Sequence, residues 1–367
     1  MNQLKERNYR YDALRGLCMF LVVVQHFTFK GGYHFTDPTG NLIYVGIDIF
    51  VMQAFFCLSG FFSKNPDKNR ESLFRHLLWP VIVVGMFFWP LLAWRHGLDA
   101  AEIRFRSGSL PYAMWFLVVL FVYKYFQKYY VKIHHLLPAA LILYLASGIF
   151  EPLSSTGFAL SRMCTFFISF VIGYMLTMEK AEQLRLRKVW QIALLGSVLI
   201  AISVLVVYCF PHNYADAIKL KFSFARTDML IWGGILVRLG ILAVSTGWIL
   251  FLFSIMPSRK GILAHIGMNT MPVYIFHLFL AGVFRVHGFT FGFFDFKDNK
   301  GVYLICLFVI SVIVTLVLSS KPFQKLYDLI IDGTYKLVSS AFCKMLAPVR
   351  TPLSKVKIQS NVKGPSS

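Results

Sequence analysis

Ten apolar stretches follow one another along the chain, at roughly 11–29, 43–62, 77–94, 111–127, 136–150, 161–178, 190–210, 229–255, 271–287 and 302–319. Most are long enough for a helix rising about 1.5 Å per residue to cross a hydrocarbon core about 30 Å thick. Inside such a core every backbone polar group has to be bonded within the chain, and a helix does this segment by segment. The expected fold is therefore all-α, a polytopic transmembrane helical bundle of about ten spans. Composition agrees: 57% of the 367 residues are hydrophobic and 15% charged, against roughly 25% charged in soluble domains. No polar stretch is long enough to house a separate soluble domain.

The net charge of +20 invites a nucleic-acid reading until its distribution is considered. The charge lies between the apolar stretches and not on one face, and no arginine-rich helix or zinc-finger spacing is present, so nucleic acid is not an expected partner. With the amino end in the cytoplasm, most of the 37 lysines and arginines fall on the cytoplasmic side, in alternate loops and in the tail. Basic loops mark the inner face, and both ends on that face require an even number of spans. The expected location is a multi-pass protein of the inner or plasma membrane. Met1 to Arg10 is polar and basic and enters the first span without a small-residue cleavage site, so the first span is expected to stay. The span at 229–255 reads either as one long tilted helix or as a helix kinked around Gly233, Gly234 and Gly240.

Residues 1–320 form the expected membrane domain. The segment 321–347 interleaves Phe323, Leu326, Leu329, Ile330, Tyr335 and Leu337 with lysines, the pattern of a helix lying on anionic membrane lipids. Residues 348–367 carry Pro, Ser, Gly, Asn and Lys without apolar period and are expected to be disordered. The six cysteines stand singly, which points to neither a disulfide framework nor a zinc site, and no metal or permanently bound cofactor is indicated.

Polar residues inside the apolar stretches carry the functional signal. Arg15 and His26 are eleven positions apart, which at about 100° per residue returns to within about 20° of one face, roughly 16 Å further along. A charged side chain facing lipid costs a few kcal/mol, so both are expected to face a protein interior or an aqueous cleft. Arg15 stands close enough to the span's start for snorkelling to the headgroups to remain an alternative. Asp12, one turn earlier, is placed to hold the Arg15 guanidinium, and Gln25 adds a polar group beside His26. Arg238, in the middle of an apolar run, is expected in a cleft or an ion pair. Asp48 is a candidate partner for it, and shares a face with Ser59, eleven positions on.

The string from Tyr11 to His26, Tyr-Asp-Ala-Leu-Arg-Gly-Leu-Cys-Met-Phe-Leu-Val-Val-Val-Gln-His, resembles the opening of the membrane-bound acyltransferase family 3, whose first helix carries an arginine or lysine and a histidine with ten residues between them, the spacing found here. Phe55-Phe56-Cys57-Leu58-Ser59-Gly60-Phe61 resembles that family's Phe-Phe-x-x-Ser-Gly-Phe segment. Arg75, in Phe-Arg-His-Leu-Leu-Trp-Pro, and Trp115-Phe116-Leu117 resemble two later elements. Tyr274 and His277 resemble its late aromatic and histidine, although Asn269-Thr270-Met271-Pro272 departs from the usual lead-in.

The resemblance implies transfer of an acyl group, most often acetyl, from cytosolic acyl-coenzyme A to a hydroxyl of an extracytoplasmic or lipid-linked glycan. Some members of the family complete the transfer with a hydrolase-like domain; the basic tail here implies direct O-acylation. On this reading His26 is the catalytic residue, as general base or as transient acyl carrier, with Arg15 beside it. Arg15, Arg75 and Arg238 bind the donor, and Asp12, Ser59, Trp115 and His277 support or line the site. Ser59 reads at least as well as a small residue permitting close helix approach, and Trp115 as a packing aromatic. The competing class is a transporter using Arg15, His26 and Arg238 as an ion or proton path.

Overall fold

The computed structural model describes residues 7–30, 38–99, 102, 110, 114–150, 159–209, 217–287 and 300–346. They are overwhelmingly helical, and no strand occurs among them. Chain order gives α1 (Arg10–Lys30), α2 (Pro38–Asp48), α3 (Val51–Phe61), α4 (Pro66–Leu73), a π turn over Phe74–Leu78, α5 (Trp79–His96), α6 (Trp115–Tyr130) and α7 (Leu136–Ala146). There follow α8 (Leu160–Met175), α9 (Met178–Leu184), α10 (Val189–Cys209), α11 (Ile231–Ile255), α12 (Ile262–Met268), α13 (Thr270–His287), α14 (Lys300–Leu318) and α15 (Lys321–Leu346).

A helix stands at each of the ten expected span positions. Three helical stretches among the described residues, Leu42–Phe61, Val189–Tyr208 and Ile231–Ile255, are long and apolar enough to cross a membrane by themselves, and up to six are when three bent pairs are each counted as one. Trp190, Trp232 and Leu236 on α10 and α11 lie exposed, an apolar surface that lipid solvates and water does not. The stretch at 229–255 is one unbroken helix, α11. The expected disordered segment 348–367 lies outside the described residues.

Two helix pairs meet backbone to backbone through glycine. A Cβ on Gly16 of α1 would stand 1.9 Å from the Leu263 carbonyl oxygen, and one on Gly267 of α12 would stand 1.8 Å from that of Asp12. Gly60 of α3 and Gly173 of α8 make the same contact, at 2.0 Å from the Phe170 oxygen and 1.8 Å from the Cys57 oxygen. Only glycine permits such approach. Ser59 thus sits beside the residue that does the close packing. Lys64 closes the α3–α8 pair by donating to the carbonyls of Gly173, Tyr174 and Leu176 at the end of α8, where the helix leaves its last carbonyls without partners.

Bends position the remaining elements. The helices α12 and α13 meet at 86° through Asn269, whose side chain donates to the His265 carbonyl at 3.0 Å. The Asn-Thr-Met-Pro lead-in that departs from the family pattern is this corner. At the other end α15 turns 63° from α14 and docks on α5. Trp79 Nε1 donates to Ile331 O and Thr334 Oγ1, both at 3.0 Å, while Leu326, Leu329 and Leu337 stay exposed on another face. The amphipathic tail segment is therefore a helix anchored to the bundle by one side.

Candidate active site

The site begins with α1. Arg15, Met19, Val22, Gln25 and His26 follow at helical spacing and line a single cavity of ≈ 560 Å³, within the size range of small-molecule sites. Asp48, at the break between α2 and α3, and Ser59 of α3 line it as well, with Trp115 at the start of α6. The structure thus brings together Arg15, His26, Asp48, Ser59 and Trp115 from separate helices.

At one end, the Arg15 guanidinium lies 5.5 Å over the Phe62 ring, and its Nη1 is 3.9 Å from Asp12 Oδ1. Asp12 is held more tightly by Arg7, through Nε at 3.0 Å and Nη2 at 2.8 Å. Asp12 therefore supports Arg15 from behind while Arg7 takes most of its charge. Lys124 of α6 also lines the cavity and lies within the electrostatic reach of Arg15, so this end carries two cations.

At the other end stands His26, its ring 5.3 Å from that of His277. His277 is fully buried and does not line the cavity. Its Nδ1 lies 2.7 Å from the Val273 carbonyl, an oxygen that only accepts, so Nδ1 carries the proton and the ring's orientation is fixed. Asp48, bonded to Gln25 and Tyr44, lies in the field of Arg162 and Lys219. The Arg162 guanidinium lies 4.2 Å over the Trp115 ring, and that ring also stacks on Phe166 at 5.5 Å. Trp115 thereby steadies Arg162. Phe56, fully buried, packs against Phe116 at 4.9 Å, Phe166 at 5.2 Å and Tyr123 at 5.5 Å, forming the aromatic wall behind them.

Two arginines stand elsewhere. Arg238 is buried with Nη1 donating to the Tyr144 carbonyl and to Ser147 Oγ at 2.6 Å, and Nη2 to Phe222 O at 3.3 Å. Its contacts are those of an internal clamp between α7, α11 and the segment before α11, and Arg162 takes the place beside Asp48 considered for it. Arg75, in the π turn, forms an ion pair with Asp332 of α15, Nη2 to Oδ2 at 2.8 Å and Nε to Oδ1 at 2.9 Å. The bonded guanidinium holds the Asp332 carboxyl below its usual value.

Sequence reasoning overlooked Lys124, Arg162, Lys219 and Tyr44 as site residues. Lys124 falls inside the stretch 111–127 and had a usable signal, a lysine nine residues into an apolar helix. Arg162, third in α8 with Phe166 one turn on, had the same one. Lys219 and Tyr44 reach the cavity only through the tertiary fold.

A family model described as an acyltransferase domain matches residues 8–320. No curated protein and no solved structure matches the chain. The matched region contains every described residue lining the cavity, from Arg15 to Leu278. The chain belongs to the membrane-bound acyltransferase family 3, and is an acyltransferase of the membrane.

Proposed function

We propose that this acyltransferase moves an acyl group, foremost acetyl, from cytosolic acyl-coenzyme A to a hydroxyl of an extracytoplasmic or lipid-linked glycan. The observation that carries this reading is that Arg15 and His26 stand along one wall of one cavity, with a second cation, Lys124, at the Arg15 end. Both chain ends are taken as cytoplasmic in a plasma membrane, as the basic loops favour, which makes the Arg15 end the donor's entrance.

In this reading the phosphates of the donor meet Arg15 and Lys124, which offer charge-assisted hydrogen bonds. The flexible arm of the donor runs along the apolar wall of Met19 and Val22 and brings the thioester to His26. The acceptor hydroxyl approaches from the opposite end. His26 takes the hydroxyl proton as the oxygen forms its bond to the thioester carbon. The carbon–sulfur bond then breaks, and the departing thiolate recovers the proton from the imidazolium. His277, with its Nδ1 proton tied to the Val273 carbonyl, holds its ring in a fixed orientation beside His26. Neither Arg75, paired with Asp332, nor Arg238, bonded to Tyr144, Ser147 and Phe222, lines this cavity, and this reading gives neither a part in the donor's path.

The reading is tested with the full chain in lipid nanodiscs, by binding of acetyl-coenzyme A. Arg15→Ala and Lys124→Ala should each weaken binding by about tenfold, the equivalent of about 1.4 kcal/mol, with thermal stability near that of the parent. Absence of binding by the intact parent protein would overturn the reading.

A further inference from the structure

The first turn of α1 carries a buried charge that acyl transfer does not use. Arg10 is 7% exposed, and its Nε and Nη1 are buried with no hydrogen-bond partner among the described residues. A guanidinium buried without acceptors is costly until an anion meets it. The Tyr11 hydroxyl is buried and without a hydrogen-bond partner as well. Its ring stacks on Phe61 at 4.9 Å, and Phe253 of α11 touches both residues, 5.3 Å from the Tyr11 ring and 5.5 Å from the Arg10 guanidinium.

Three segments converge there. Tyr9 N donates to Ser258 O, just past α11, at 3.1 Å, and Leu186 N, just past α9, donates to Ser254 Oγ of α11 at 3.0 Å. This brings Arg185, Arg187 and Glu182 within electrostatic reach of Arg10. The Glu182 carboxylate is already engaged, Oε2 by Arg185 Nε at 3.2 Å and Oε1 by Asn8 Nδ2 at 3.4 Å, while Asp12 is held by Arg7 and Arg15. Among these described groups three arginines, Arg10, Arg185 and Arg187, stand against one acid, Glu182. Arg185 is half-buried and Arg187 exposed, so the cluster reaches from Arg10 out to the surface.

The apolar neighbours indicate which anion meets this charge. Leu184 at the end of α9, Val189 and Trp190 at the start of α10, and Ile255 at the end of α11 are exposed. Exposed tryptophan next to basic residues marks the level of lipid headgroups, and basic pockets between spans hold anionic ones. We propose that Arg10, Tyr11, Arg185 and Arg187 bind the phosphate of an anionic phospholipid, whose acyl chains lie against Trp190 and the exposed faces of α10 and α11. The phosphate oxygens accept charge-assisted hydrogen bonds from the guanidiniums, and the excess of cations selects a headgroup of net negative charge. None of the four residues is among those described as lining the cavity, so the lipid site stands independently of the acyl-transfer reading.

The test titrates the full chain in detergent with phosphatidylglycerol or with phosphatidylcholine of the same acyl chains, and reads bound lipid by native mass spectrometry. Phosphatidylglycerol should bind about tenfold tighter. Arg10→Gln should remove most of that preference and Arg187→Gln part of it, whereas Lys325→Gln, an exposed position on α15, should keep it. Should Arg10→Gln fail to fold, Arg187→Gln at its exposed position carries the comparison. Inorganic phosphate at the concentration of the lipid should not displace it; displacement would make this a site for a free anion and overturn the lipid. Equal binding of the two lipids by the parent overturns the site. So does a preference that survives in the folded arginine variants, or one that Lys325→Gln lowers as much as Arg10→Gln, the mark of diffuse surface charge. Weaker binding of acetyl-coenzyme A by folded Arg10→Gln would give the cluster to the donor and overturn it as well.

Discussion

Arg15 and Arg238 look alike in sequence, each an arginine within an apolar stretch, and the fold gives them opposite surroundings. Arg15 lines a cavity with a partner at 3.9 Å, whereas Arg238 spends its donors on Tyr144, Ser147 and Phe222. Removing Arg238 leaves buried oxygens without donors, which costs about 1–3 kcal/mol for each unsatisfied group. Arg238→Ala should therefore lower the thermal midpoint clearly in detergent and leave the affinity for acetyl-coenzyme A unchanged in the folded fraction. A selective loss of that affinity would return Arg238 to the donor site. The difference between the two arginines was not legible from spacing, because it depends on carbonyls delivered by α7 and by the segment before α11. The one-wall arrangement of Arg15 and His26 was legible, because a single straight helix fixes it.

Among the elements, the contact of α1 with α12 is the tightest constraint on where the Arg15 wall stands. A methyl at Gly16 or Gly267 meets backbone oxygen below 2 Å, and neither helix has a flexible side chain there to yield. Gly16→Ala and Gly267→Ala should each destabilise the protein by about 1–3 kcal/mol, the usual cost of overpacking, and should lower activity together with the thermal midpoint. Full activity at unchanged stability would show that the helices can separate freely. The α15 latch is weaker. Arg75 and Asp332 are each about a third exposed, with side-chain exposures of 35% and 36%, so Asp332→Asn should change stability by less than about 1 kcal/mol. Because Arg75 lowers the Asp332 carboxyl's pKa, the contribution of the pair is present above the ordinary carboxylate value of about 3.9 and is lost as pH falls through the lowered one. Thermal midpoints of parent and Asp332→Asn should converge below that range and keep a constant small gap from pH 5 to 8. Helix positions were readable from hydropathy, since each apolar stretch became a helix. The corner at Asn269 was not: α12 is only seven residues long and is defined by its packing on Gly16.

Among the described residues, large apolar side chains lie exposed on many of the helices, and Arg15, Asp48, Lys124, Arg162 and Lys219 line one cavity between α1, α3, α6, α8 and α13. A carrier would use those charges to move an ion; in the proposed acyl transfer they would hold donor and acceptor on either side of His26. Both uses share the same composition and span pattern, which is why the class rests on the family match over residues 8–320, and the roles of the cavity residues within it are proposals. The proposal turns on His26 as the residue that performs the transfer. It is tested most directly by mass spectrometry of surface glycans from cells carrying the parent protein or His26→Ala at equal membrane abundance. The parent glycans should carry an acyl group that is missing from the His26→Ala cells, and the same acylation in both would contradict the account.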